Sequence, residues 1–337
     1  MIGVRDWETF RSSHLDGRLA FRGMTSLGSL LRDSAGIPSL LQTGGRYRGD
    51  PIHDLQHPDD LIMEASAEFR LGDAFLYLAP IGAPALGPAP YMHRPSATAD
   101  PIAPLGHHWQ DATHVSYGVV TAGVRRGYAT LEVSAFNARE SDFGDPWPDF
   151  SHARLDSYSG RITLSAAGFS ASSWLGYLEA HDPMTPAMQM HRSGASLSLE
   201  RGRSSSIAVW GMNVHHHDGA SHLFLHGDPN ASPHTRSSSL LVESTLSVGE
   251  KLALFGRAET VSKSGEELGF QGGNLLEEYD IRALSLGARR DVYANRVARL
   301  AVAARGSLTV VPPKLESSYG TRRPMGFYLY AQARRAP

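Results

Sequence analysis

The sequence predicts an all-β protein, an antiparallel transmembrane β-barrel of about 14–16 strands with short turns at one end and long loops at the other. Two observations carry this. Apolar and polar residues alternate with period two along many segments, and the connections between those segments alternate between tight turns and long loops. A third observation sharpens it. Charged residues stand at the centres of these segments, on the face opposite the apolar one, as they do where a strand separates lipid from a polar interior.

The clearest strand runs from Leu61 to Phe69, with Leu61, Met63, Ala65, Ala67 and Phe69 on one face and Glu64, Ser66 and Glu68 on the other. "YATLEVSAF" (128–136), "SYSGRITLSA" (157–166) and "GASLSLERG" (194–202) repeat the pattern. Further strands read at 5–13, 17–31, 73–79, 114–125, 170–180, 204–215, 237–248, 250–262, 278–290, 296–308 and 325–334. Tight turns rich in Gly, Asp or Asn join pairs of them at 70–74, 124–128, 165–170, 200–204, 247–251 and 290–296. At the other end the connections are long: 32–60, 80–113, 138–153, 181–191, 216–236, 263–277 and 309–324. A soluble sandwich or lipocalin-like barrel also alternates, but its strands are usually shorter, roughly 5–6 residues.

Composition narrows the function classes. A net charge of -2 over 32 basic and 34 acidic residues gives no field to attract nucleic acid. The absence of cysteine removes thiolate metal sites, disulfides and cysteine nucleophiles. No apolar run approaches the ~18 residues of a membrane-spanning helix, so a bilayer would be crossed by strands. The opening "MIGVRDWETF" shows no secretory leader, and an odd strand count agrees with one strand lying ahead of it. The whole chain, 1–337, reads as a single barrel domain.

Taken together, "LLQTGGRYRGDPIHDLQHPDDLIMEASAEF", "GAPALGPAPYMHRPSA", "PLGHHWQDATHVSYGVVTAGV", "FNARESD" and "RLDSYSGRITLS" resemble an uncharacterised family of bacterial outer-membrane β-barrel proteins, sometimes encoded near heavy-metal resistance genes. The resemblance implies a Gram-negative outer membrane, lipid and the barrel assembly machinery as partners, and an N-terminus that begins earlier in relatives. Gly326, Phe327, Leu329 and Tyr330 resemble the C-terminal assembly signal of such barrels, although the chain runs on through Arg334 and Arg335 to Pro337.

Two loops, 32–60 and 80–113, are expected to constrict one end of the barrel. The second holds seven prolines between 80 and 104, which preset its path. Expected lumen-lining residues are Glu64, Glu68, Arg70, Glu132, Arg161, Glu200, Arg257, Glu259 and Arg282, bathed in a wet interior of mixed charge. His53, His57, Asp60, His107 and His114 are the candidate ligands for a divalent Cu, Zn or Ni ion, without a diagnostic spacing. The competing reading makes the same loops a hydrogen-bonded network, with Trp109 as its anchor and Arg94 paired to an aspartate such as Asp111. His114 with Ser116, or His191 with Ser193, share a strand face, but no GxSxG elbow accompanies them and no catalytic residue is assigned. The expected role is porin-like passage or binding of a small polar solute or metal ion. A non-conducting structural barrel and an outer-membrane lipid hydrolase are the alternatives. No residue marks a subunit interface.

Overall fold

The structure is a computed structural model that describes residues 2–11, 16–25, 36–47, 50–56, 62–111, 116–138, 154–182, 185–216, 234–265, 267–268, 270 and 275–335. Its strands are β1 (Ile2–Arg11), β2 (Asp16–Thr25), β3 (Ile37–Tyr47), β4 (Asp50–Gln56), β5 (Ile62–Leu71), β6 (Ala74–Gly82), β7 (Ser116–Arg126), β8 (Ala129–Asn137) and β9 (Ser157–Ala166). They continue with β10 (Phe169–Asp182), β11 (Thr185–Arg201), β12 (Ser204–His216), β13 (His234–Val248), β14 (Leu252–Ser264), β15 (Glu278–Ala294), β16 (Ala298–Val310) and β17 (Met325–Arg335). Fifteen of them form one antiparallel sheet in chain order, while β3 and β4 stand apart as a hairpin.

The first and last strands of this sheet, β1 and β17, approach one another, though no ladder joins them among the described residues. As the first and fifteenth members of an alternating sheet they run in the same direction.

The registers turn the period-two pattern into two surfaces. Leu131 pairs Ile162, Leu175 flanks Gly160, and Leu254 stands between Leu246 and Ala288, so apolar residues meet apolar residues round the outside. That outer face stays bare, with Leu175 at 69% and Leu286 at 63% exposure, as the lipid-facing band of a transmembrane barrel does. Inside, Val209 and Leu241 are fully buried in a cluster with Trp174, Leu178 and Phe136.

Two expectations are corrected. Segment 181–191, read as a long loop, belongs to the long hairpin β10–β11, whose ladder runs up to Asp182 and Thr185. Segment 32–60 holds the β3–β4 hairpin, irregularly paired, with Leu41 at φ 63° and Asp54 at φ 53°.

Candidate functional site

Segment 83–111, between β6 and β7, leaves the sheet and packs against its inner face. Its sequence explains why it needs the barrel. Prolines at 84, 88, 90, 95, 101 and 104 donate no hydrogen bond and prevent a regular helix, so only two short 3₁₀ turns, Tyr91–His93 and Pro95–Ala97, and one helical turn α1 (His107–Gln110) form. A buried backbone without a ladder must find partners elsewhere.

Those partners are the polar side chains of the inner wall. Arg161 donates to the Gly87 carbonyl (2.6 Å), Thr245 to Ser96 (2.6 Å), Arg289 to Thr98 (3.0 Å), Arg257 to Ile102 (2.8 Å), Asn213 to His108 (3.2 Å) and Arg192 to Asp111 (2.9 Å). Tyr330 and Gln332 of β17 donate to the Ala99 and Thr98 carbonyls. In return, the Ala85 N–H donates to the Ser134 hydroxyl (2.8 Å) and the Leu105 N–H to a Glu259 carboxylate oxygen (2.6 Å). The segment is thereby tied to strands from β8 round to β17.

Charge completes the attachment. Asp111, Arg94, Glu243, Arg257, Asp100 and Arg305 form a chain of alternating sign, three members from the segment and three from the wall. Its links are Arg94–Asp111 (3.3 Å), Arg94–Glu243 (3.7 Å), Arg257–Glu243 (3.0 Å), Arg257–Asp100 (3.6 Å) and Arg305–Asp100 (3.1 Å). Arg257 and Glu243 are 1% and 2% exposed at the side chain. Trp109 fills the centre, its indole N–H donating to Ser237 (2.8 Å). Gly211 of β12 makes room for it: a Cβ there would lie 2.0 Å from the Trp109 carbonyl oxygen.

The β3–β4 hairpin meets the same segment. The Gln42 side chain donates to the Ala103 carbonyl (2.6 Å), and the Gln56 side-chain oxygen Oε1 accepts the Ala103 N–H (2.9 Å). Lys263 of β14, itself buried, donates to the Leu41 carbonyl (2.8 Å) and Thr43 hydroxyl (2.6 Å). This, with the Asp54 carboxylate on the Leu41 N–H, holds Leu41 in its left-handed conformation. Beside the hairpin, burial pushes the Glu267 carboxyl above the usual glutamate range.

The candidate residues thus separate into groups. Arg257, Glu259, Arg161, Arg94, Asp111 and Trp109 converge on segment 83–111. Arg257 and Glu259 meet peptide groups where a wet lumen was expected, because the buried loop backbone takes up their hydrogen-bonding capacity. Arg161 also holds Glu132 bidentately (2.8 and 3.0 Å).

Glu64, Glu68 and Arg70 belong to a different stretch of wall. Arg22 and Glu64 pair across β2 and β5 (3.3 Å), each 19% exposed at the side chain. Ser66 donates to Glu64 (2.8 Å), and Arg70 pairs with Glu68 (2.5 Å). Here the segment makes contact near the top of the wall, where Met92 packs on Met63, Ile81 and Tyr117. Glu200 lies exposed at a turn. Arg282 is a correction: it is exposed and shares the outward face with Leu284 and Leu286, because its even position puts it out of phase with the inward Ile281 and Ser285.

Of the five candidate metal ligands, the structure describes only His53 and His107. His57, Asp60 and His114 lie outside the described residues. His53 Nδ1 is hydrogen-bonded to the Glu267 carbonyl (3.1 Å) and His107 Nδ1 to the Pro104 carbonyl (2.7 Å). Among the described residues no three His, Asp or Glu side chains are grouped to hold a metal ion. Gln42, Gln56, Asp100, Lys263 and Arg305 were missed as site residues. Their signal, polar groups in inward phase or on the two loops, does not distinguish a partner in the loop from water.

No protein-family model matches the chain, and no curated protein matches it. Among solved structures it is similar to OmpF of Salmonella typhi in complex with daunomycin (TM-score 0.56, 11% identity, 98% of this chain and 89% of that one). It is also similar to a porin refined at 1.8 Å (TM-score 0.50, 11% identity, 98% and 92%). A loop L8 deletion variant of OmpT, an outer membrane protein of Vibrio cholerae, gives a TM-score of 0.50 at 8% identity, covering 99% of each chain. At these identities the likeness is one of fold. With the bare apolar outer face, it makes this chain a porin-like β-barrel of the outer membrane.

Proposed function

We propose that the protein is a narrow, porin-like passage for small polar solutes, with segment 83–111 as its constriction and the β2–β5 wall as the open side. The observation that carries this is the contrast in exposure between inward charged pairs: Arg22 and Glu64 keep 19% of their side-chain surface, whereas Arg257 and Glu243 keep 1–2%. The wall along β2 and β5 pairs Arg18 with Glu68, Arg22 with Glu64 and Asp16 with Arg70. Its charges balance, which favours polar solutes of either sign over strong charge selection. Catalysis has no part in this reading, and no metal is included, since the two described candidate ligands, His53 and His107, are engaged by backbone carbonyls.

The density of bonds between segment and wall also favours a second reading, a closed structural barrel. Conductance of the full chain in a planar bilayer separates the two. The passage predicts small discrete current steps that change when Arg22 and Glu64 are replaced by alanine. A membrane that stays silent after confirmed insertion supports the closed barrel.

A further inference from the structure

We propose that the turn end of the barrel carries a built site for an anionic phospholipid, in the recess between the β13–β14 turn and β15. The recess has a volume of about 490 Å3 and is lined by Val248, Glu250, Lys251, Leu252 and Arg290. Its position is set by the ladders: Val248 pairs Leu252, and Leu252 pairs Arg290 on the neighbouring strand. Arg290 follows Leu284 and Leu286 on the outward face, so its guanidinium lies at the foot of a lipid-facing column.

The chemistry of the lining is that of a phospholipid at its headgroup. Lys251 and Arg290 supply two cations for a phosphodiester, Glu250 opposes them with one carboxylate, and Val248 and Leu252 offer apolar surface to the first part of an acyl chain. The surroundings favour an anionic headgroup. Although the whole chain is slightly acidic, at -2, the turns on either side of the recess expose Arg201, Arg203 and Arg296 against Glu200, with Glu250 in the recess itself. Exposed Tyr293 (53%) and Val297 (73%) stand beside these cations on the β15–β16 turn. Apolar, aromatic and cationic tips at one level are the composition of a membrane interface and not of a docking face for a soluble acidic protein.

The test is lipid retention by the full chain in mild detergent, read by native mass spectrometry with phosphatidylglycerol, phosphatidylcholine or phosphatidylethanolamine added. Preferential retention of one phosphatidylglycerol is expected, falling about fivefold for each of Lys251→Ala and Arg290→Ala. Lys314→Ala, at the opposite end, leaves it unchanged. Glu250→Gln is expected to raise retention by removing the opposing charge. Both cations are exposed, and unchanged heat modifiability confirms that each variant is folded. Equal retention of the three lipids, or undiminished retention by both cation variants, overturns the proposal. Weaker retention after Glu250→Gln overturns it in favour of an amine-bearing headgroup. Displacement of the lipid by millimolar inorganic phosphate makes the recess a free-phosphate site and overturns it likewise.

Discussion

The inner wall along β13 and β14 and the inner wall along β2 and β5 carry the same residue types in the same phase, yet they do different things. On β13–β14, Glu243, Arg257 and Glu259 are buried under segment 83–111 and bonded to it. On β2–β5, Arg22 pairs with Glu64 across the strands and Glu68 with Arg70 along β5, and Arg22, Glu64 and Glu68 remain half-buried. An inward arginine is therefore not in itself a pore residue. Whether it meets solute or peptide depends on where a proline-rich segment crosses the lumen.

The comparison can be broken most forcefully at Arg257. Arg257→Ala leaves Glu243 and Asp100 buried with one cation each, and should cost about 3–5 kcal/mol, as loss of one partner of a buried ion pair does. Urea unfolding in detergent, or a lowered temperature for the gel-mobility shift, measures it. If the constriction reading holds, the same change enlarges the conductance step. Gly211→Ala is expected to rank next. Its Cβ would collide with the Trp109 carbonyl, so the helical turn α1 must move off β12 at about 1–3 kcal/mol. Proteolysis of the displaced segment would report the movement.

On the open wall the same kind of change should do far less to stability. Arg22→Ala removes a partly solvated pair and is expected to cost less than about 1 kcal/mol. A loss as large as that at Arg257 would mean the two walls are equally filled. The smallest effect concerns Glu267, which lies beside the hairpin that caps the filled side. Its carboxyl is raised by burial, so its contribution to stability is complete below the ordinary value of 4.5 and is lost as the pH rises through the raised value. Glu267→Gln keeps an acceptor for the Ser264 N–H and removes that loss. The variant should gain on the parent in urea unfolding as the pH goes from acid to neutral, with no difference in acid.

The barrel was legible because strands facing lipid on one side must alternate, and because turn length reports which end is which. The alternation at Leu131, Val133 and Glu132 places each residue on the face where the structure has it. Arg282 shows the limit: by type a charged residue in a strand reads as inward, while its register with Thr260 and Val310 puts it outside. The site was less legible. Proline spacing in 80–104 marks a fixed path but says nothing about its destination, and Arg257 reads identically whether it faces water or the Ile102 carbonyl. Lys263 shows only its inward phase in the sequence and nothing of its partners Leu41 and Thr43, which lie more than two hundred residues away.

The chain contains no cysteine, so single cysteines give the most direct test of the unequal walls. Ser66 on β5 and Ser239 on β13 both face inward, the first half-buried and the second 2% exposed beneath segment 83–111. A water-soluble thiol reagent applied to the folded protein should label Ser66→Cys rapidly and leave Ser239→Cys unmodified until unfolding. Equal labelling of the two would show that the segment does not cover the β13 wall, and the division of the lumen described here would be wrong.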